Sequence, residues 1–189
     1  MTVAALSAFS GVFALGAIFA MFGSIKLKLQ ERLSIDDAKA SQLISALMFS
    51  CLIFSLVIGA ITPALGFKTV GIIGFAVGTI CVLLLAQARS YGTALLSFLA
   101  LGVAAMCVNT VGNTLGPMVL FDGEQPAKAS NLLNVFFGLG SFLTPFIIGN
   151  LMNKAGYKIA VSAVAVLLGI PIIWTVLGTD FPAIEGGFD

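Results

Sequence analysis

The chain has 189 residues, of which 59% are hydrophobic and 9% charged, whereas water-soluble domains carry about a quarter charged residues. A domain of this size leaves too much surface exposed to hide that much apolar material, so its main solvent is lipid. The net charge is +1 with no basic run, which excludes an electrostatic footprint for nucleic acid.

A bilayer-crossing helix takes about 20 mostly apolar residues, and the charges divide the chain into six such runs. The first is 3–25, with no Lys or Arg before it, which reads as a retained span and not as a signal peptide. The polar stretch KLKLQERLSIDDAKAS follows, then a second run at 42–65, closed by Lys68. The third is 70–87, before Arg89, and the fourth 91–121, long enough to tilt or protrude. After the loop DGEQPAK come 130–152 and 159–177, and a tail, GTDFPAIEGGFD. Runs of this length without in–out alternation exclude barrel strands, and the short connections make neighbouring spans antiparallel. The expectation is an all-α, multi-pass integral membrane protein in a cell (inner) membrane.

Two segments echo one another. IGAITPALGFK ends at Lys68 and IGNLMNKAGYK at Lys158, with first glycines Gly59 and Gly149 offset by 90 residues. They close the second and fifth runs, so the chain reads as two three-helix repeats, 1–89 and 90–181, with a tail at 182–189. Three is odd, so the second repeat enters the membrane from the opposite side, the pattern of inverted-topology transporters. Gly59 and Gly149 are expected to permit close helix approach, Gly66 and Gly156 to end a helix, and the lysines to suit its carbonyl end. The plainer alternative is that both segments are good helix stops. GIIGFAVG has the Gly74/Gly78 spacing of close helix contact, and Pro117, Pro145 and Pro171 fall within or near span ends.

Polar side chains inside lipid are costly and turn toward the bundle interior. Asn109 and Asn113 share a face of the fourth span, with Thr110 and Thr114 beside them. Asn131 and Asn134 share a face of the fifth. Four uncharged amides offer the donors and acceptors that sugar hydroxyls require, and Phe136, Phe137 and Trp174 offer apolar faces for a sugar ring. Gln42 opens the second span and Gln87 closes the third. The competing reading makes the amides interhelical glue, Asn131 a helix cap after Ser130, the aromatics packing or lipid contacts, and Trp174 an interfacial anchor. Histidine is absent, Cys51, Cys81 and Cys107 fit no metal or disulfide spacing, and no nucleophile constellation stands out. Neither an enzyme, nor a cofactor, nor a metal is expected.

Six helices in two inverted triplets resemble half of a major facilitator superfamily transporter. GAITPALGFK resembles that superfamily's signature between its second and third helices. Gly59, Gly66 and Lys68 fit it, while Pro63 and Ala64 stand where an acidic–basic pair would be. Within the superfamily the chain is most similar to the fucose–proton symporter and related sugar carriers, through ERLSIDDAKASQLISA, MCVNTVGNTLGP and NLLNVFFGLGSFLTP. The resemblance covers most of this chain and half of such a carrier. In it, two acidic residues carry the proton, and those positions fall on Gly23 and Asn109. All eight acidic residues lie outside the six runs, and an intramembrane carboxylate is the usual proton relay.

The resemblance implies alternating-access transport of a small neutral polar solute, a sugar, by uniport and not by carboxylate-based proton symport. A half-carrier implies a homodimer around a two-fold axis. The alternative is a non-transporting helical scaffold or assembly subunit of a membrane complex. The superfamily's topology, with both termini in the cytoplasm, puts Lys68 and Lys128 inside and Lys26, Lys28, Arg32, Lys39, Arg89, Lys154 and Lys158 outside. The positive-inside rule favours the reverse.

Overall fold

The computed structural model describes residues 2–183, and among these every regular element is helical. Helix α1 spans Val3–Leu33, α2 Asp37–Gln87, α3 Tyr91–Thr110, α4 Gly116–Val119 and α5 Pro126–Leu177. A π-helical turn, Val111–Leu115, joins α3 to α4 without a break, and a single 3₁₀ turn, Phe121–Gly123, precedes α5. Among the described residues four stretches are long and apolar enough to cross a membrane: α1, α2, the α3–α4 run and α5.

Local chemistry sets the starts. Thr2 Oγ1 accepts the Ala5 N–H at 3.2 Å, Asp36 Oδ1 that of Lys39 at 2.8 Å and Ser90 Oγ that of Thr93 at 3.2 Å. Each satisfies one of the donors that a helix N-terminus leaves open. Helix α5 starts at Pro126, which needs no N–H there. Asn131 therefore lies inside the helix, and the expected Ser130–Asn131 cap is not where the helix begins. The polar stretch after residue 25 is also helical, because Leu29 buries fully while Lys28 and Glu31 pair at 2.7 Å in solvent.

Helices α2 and α5 have 51 and 52 residues. At about 1.5 Å per residue, an unbroken helix of that length would reach more than twice the thickness of a hydrocarbon core. Each is interrupted at one glycine, Gly66 (φ 77, ψ 153) and Gly156 (φ 83, ψ 173). That region of backbone space is open essentially to glycine alone.

Contacts run in opposite senses on the two sides of each interruption. Before Gly66, Gln42 meets Tyr91, Ser50 meets Leu99 and Cys51 meets Gly102, so α2 runs parallel to α3. After it, Gly71 faces Val111, Gly74 faces Cys107 and Val108, and Gly78 faces Ala104, so the direction is reversed. In the same way Phe136 stacks on Phe9 and Ser141 donates to the Gly16 carbonyl. Beyond Gly156, Tyr157 lies under Arg32 and Thr175 hydrogen-bonds Ser7.

Gly74 and Gly78 sit at close helix contacts as their spacing suggests. Gly59 and Gly149 do not, since a Cβ on either would meet nothing within 4 Å. Lys68 does serve a carbonyl end, but of another helix: its Nζ donates to Gly178 O, just past α5, at 2.7 Å. Ile18 and Met21 of α1, Phe98 and Leu101 of α3 and Phe75 of α2 form the buried centre. Leu52, Leu56, Phe142 and Phe146, on α2 and α5, are exposed large apolar side chains, the surface that suits acyl chains and not water.

Candidate functional site

Small residues bring α3 close enough to its neighbours to shape a cleft. Gly102 packs against Ser50 of α2, and Gly112 packs against Val12 of α1 so closely that a Cβ at either glycine would collide with its neighbour. A cleft opens between α2 and the end of α3 near the π turn. The cleft between them has a volume of about 280 Å³ and is lined by Ser55, Gly59, Thr62, Pro63 and Phe67 from α2 and Asn109, Thr110 and Thr114 from the α3 side.

The donors and acceptors in this cleft can be assigned. Ser55 Oγ donates to Leu52 O at 2.8 Å, Thr62 Oγ1 to Ile58 O, and Thr110 Oγ1 to Met106 O at 3.0 Å. Each hydroxyl proton is thereby committed to its own helix, so these oxygens face a ligand as acceptors. Asn113 Nδ2 donates to Asn109 Oδ1 at 2.9 Å. This bond leaves Asn109 Nδ2 as a donor, while Asn113 is exposed and does not itself line the cleft. The cleft lining contains no ionisable side chain. It can bind neutral groups that both give and take hydrogen bonds, and has no local means of neutralising an ion.

Asn113 and Thr114 belong to the π turn. A π turn adds a residue to the helical repeat, is rare, and occurs frequently at functional positions. Gly112 and Gly116 flank the pair, and Gly116 packs on Leu133 of α5.

The other expected residues lie elsewhere. Asn131 and Asn134 are exposed on α5, on either side of the buried Leu133. They are thus near the end of the α3–α4 run but do not line the Asn109 cleft. Phe137 is half-buried and packs against the hydrophobic core. Phe136 stacks on Phe9 with ring centroids 4.4 Å apart. Trp174 lines a separate apolar cleft with Leu6, Phe9, Phe13 and Phe136, and its indole N–H is buried without a partner. An interfacial anchor would instead present that N–H to the headgroups. Gln42 accepts a hydrogen bond from Tyr91 at 3.0 Å, outside the cleft. Gly23, one of the two positions where the resembled carriers hold an acid, is exposed, with nothing within 4 Å of a would-be Cβ.

Sequence reasoning missed the α2 wall. Its available signal was the pair of hydroxyls at Ser55 and Thr62, seven residues apart and hence on one helix face.

A family model described as Major Facilitator Superfamily matches residues 7–186. No curated protein matches the chain.

Proposed function

The chain belongs to the Major Facilitator Superfamily, a family of membrane transport proteins, and from that premise we propose that it carries a small neutral polar solute, a sugar or a close chemical relative, by alternating access. The observation that carries this reading is Asn109, hydrogen-bonded by Asn113, in the lining of a cleft that holds hydroxyls and no charge. A polyol offers several hydroxyls, each both donor and acceptor, and such a lining matches them without charge. Asn131, Asn134 and Phe137 form a second flank of the solute path in this proposal.

We further infer six crossings arranged as two inverted triplets, 1–89 and 90–181. Two observations support this. The helix interruptions at Gly66 and Gly156 are 90 residues apart with similar backbone angles. The packing of Ser50 on Gly102 is echoed by that of Gly140 on Phe13, and Ser50 and Gly140 are again 90 apart. Uniport is proposed because every acidic residue falls outside the apolar runs and a proton relay inside lipid needs an ionisable group. A second copy of the chain, related by a two-fold axis, completes the pathway, in a cell (inner) membrane.

The test is solute flux into proteoliposomes of purified protein, with a panel of neutral sugars and polyols, in the presence and absence of a proton gradient. Saturable uptake of at least one solute, unchanged when the gradient is collapsed, is expected. An absence of flux for the whole panel, together with stable co-purification of another membrane protein, overturns the proposal in favour of a scaffold. That second reading draws on Pro63 and Ala64 standing where the superfamily's signature has a charged pair.

A further inference from the structure

A second site lies at the opposite end of the bundle, where α1 and α2 end and the last part of α5 begins. Arg32, Gln87, Arg89 and Lys158 line one cleft of about 240 Å³. Three cations there share a small space with no carboxylate in the lining.

The acids on this face are committed elsewhere. Glu31 pairs with Lys28 at 2.7 Å and Asp37 with Lys26 at 2.6 Å. Asp36 caps α2 through the Lys39 N–H at 2.8 Å. The cations of the cleft are also held in place. Arg32 Nε donates to the Ala88 carbonyl at 2.9 Å, and its guanidinium lies over the Tyr157 ring, 5.3 Å from the centroid. Tyr157 is fixed in turn by donating its hydroxyl to Leu85 O at 3.2 Å. With Nε engaged, the terminal amino groups of Arg32 form the planar fork that matches phosphate oxygens. Gln87 adds an amide donor.

We propose that this cleft binds the phosphate of an anionic ligand, supplied either by an anionic phospholipid headgroup or by free phosphate. Like charges repel when crowded into one cleft, and an anion between them removes that repulsion. Basic pockets between membrane helices bind phosphate-bearing headgroups by this means. The cleft is charged and lies at the helix ends, whereas the Asn109 cleft is uncharged and lies within the span. The two sites therefore take different ligand chemistries, and the second does not depend on transport.

The experiment is thermal unfolding of the full chain in neutral detergent, titrated separately with phosphatidylglycerol, phosphatidylcholine and sodium phosphate at fixed ionic strength. Phosphatidylglycerol is expected to raise Tm more than phosphatidylcholine does. A rise with phosphate alone assigns the site to free phosphate, and a rise with phosphatidylglycerol alone assigns it to lipid; either supports the proposal. In the double variant Arg89→Gln/Lys158→Gln the half-saturating concentration should increase about 25-fold, at about fivefold for each cation removed. Lys39→Gln/Lys154→Gln, which removes the same charge from this face outside the cleft, should leave it unchanged. Equal weakening by the two double variants, or no response to either anion, overturns the proposal. If the cleft variant does not fold, native mass spectrometry of the wild-type chain with equimolar phosphatidylglycerol and phosphatidylcholine decides instead. Retention of both lipids in equal amounts sinks the idea, and selective retention of the anionic lipid, or its displacement by phosphate, upholds it.

Discussion

Asn109 and Asn113 look alike in sequence but differ in place. Asn109 is half-buried in the cleft wall, and Asn113 is exposed on the π turn and reaches back to bond it. Interhelical polar contacts in membranes contribute about 0.6 kcal/mol on average, and this bond joins two residues of one helical run, so it does little to hold the bundle together. The structure thus gives the pair little to do as glue. Asn109→Leu preserves volume while removing both polar atoms. Its solute uptake should fall at least about tenfold, equivalent to about 1.4 kcal/mol, with Tm nearly unchanged. Uptake assays beside a thermal melt of the same preparation check this. A matched loss of Tm and uptake would mean that Asn109 is structural. Asn109→Asp tests the uncharged character of the cleft. A carboxylate in this half-buried position favours its neutral form, so uptake should be retained better at acid than at alkaline pH, a dependence absent from the wild type.

At the scale of helices, the interruptions at Gly66 and Gly156 set how α2 and α5 fold back. Any residue with a Cβ is strained at these angles, at a cost of roughly 1–3 kcal/mol per site. Gly66→Ala and Gly156→Ala should each lower Tm and the yield of folded protein. Gly59→Ala and Gly149→Ala, at the partner glycines of the same echoed motif, have open space at the new methyl and should be neutral or slightly stabilising, since alanine is the better helix former by about 1 kcal/mol. Melting the four variants side by side checks both halves of the claim. This contrast also marks what was legible in the sequence. A glycine followed by an aromatic and a lysine signalled both interruptions, because few other residues can take that backbone. The role of the first glycine was not legible, because whether a bare helix face meets a neighbour depends on packing at a distance. Asn109 was conspicuous, since an amide in an apolar run is costly, and it lines the cleft, whereas Asn131 and Asn134 do not. The α2 wall of the cleft could not be read, because Ser55 and Thr62 bond their own helix carbonyls and such hydroxyls are ordinary in membrane helices. The helical extension of α1 to Leu33 was hidden by its charges, although Leu29 keeps one face apolar and buried.

At the scale of the whole molecule, polar groups meet a lipid-facing exterior unevenly. Asn113, Thr114, Asn131 and Asn134 are exposed on the isolated chain, as are the large apolar side chains of α2 and α5. The apolar ones are at home in acyl chains. The amides are not, since an unpaired amide in hydrocarbon costs several kcal/mol. A lone chain would bear that cost for several groups at once. A second copy facing it across a water-filled cavity would relieve it, and would give an Asn109 cleft on each side of the pathway. The expected outcome is a protein mass of two chains by light scattering after mild detergent extraction, persisting on dilution. Replacing the exposed amides together, as Asn113→Leu/Asn131→Leu/Asn134→Leu, should weaken pairing by removing its driving force, and move the mass toward one chain while the fold survives. A wild-type mass of one chain at every detergent concentration would exclude the homodimer, and the partner for this face would then have to be a different polypeptide.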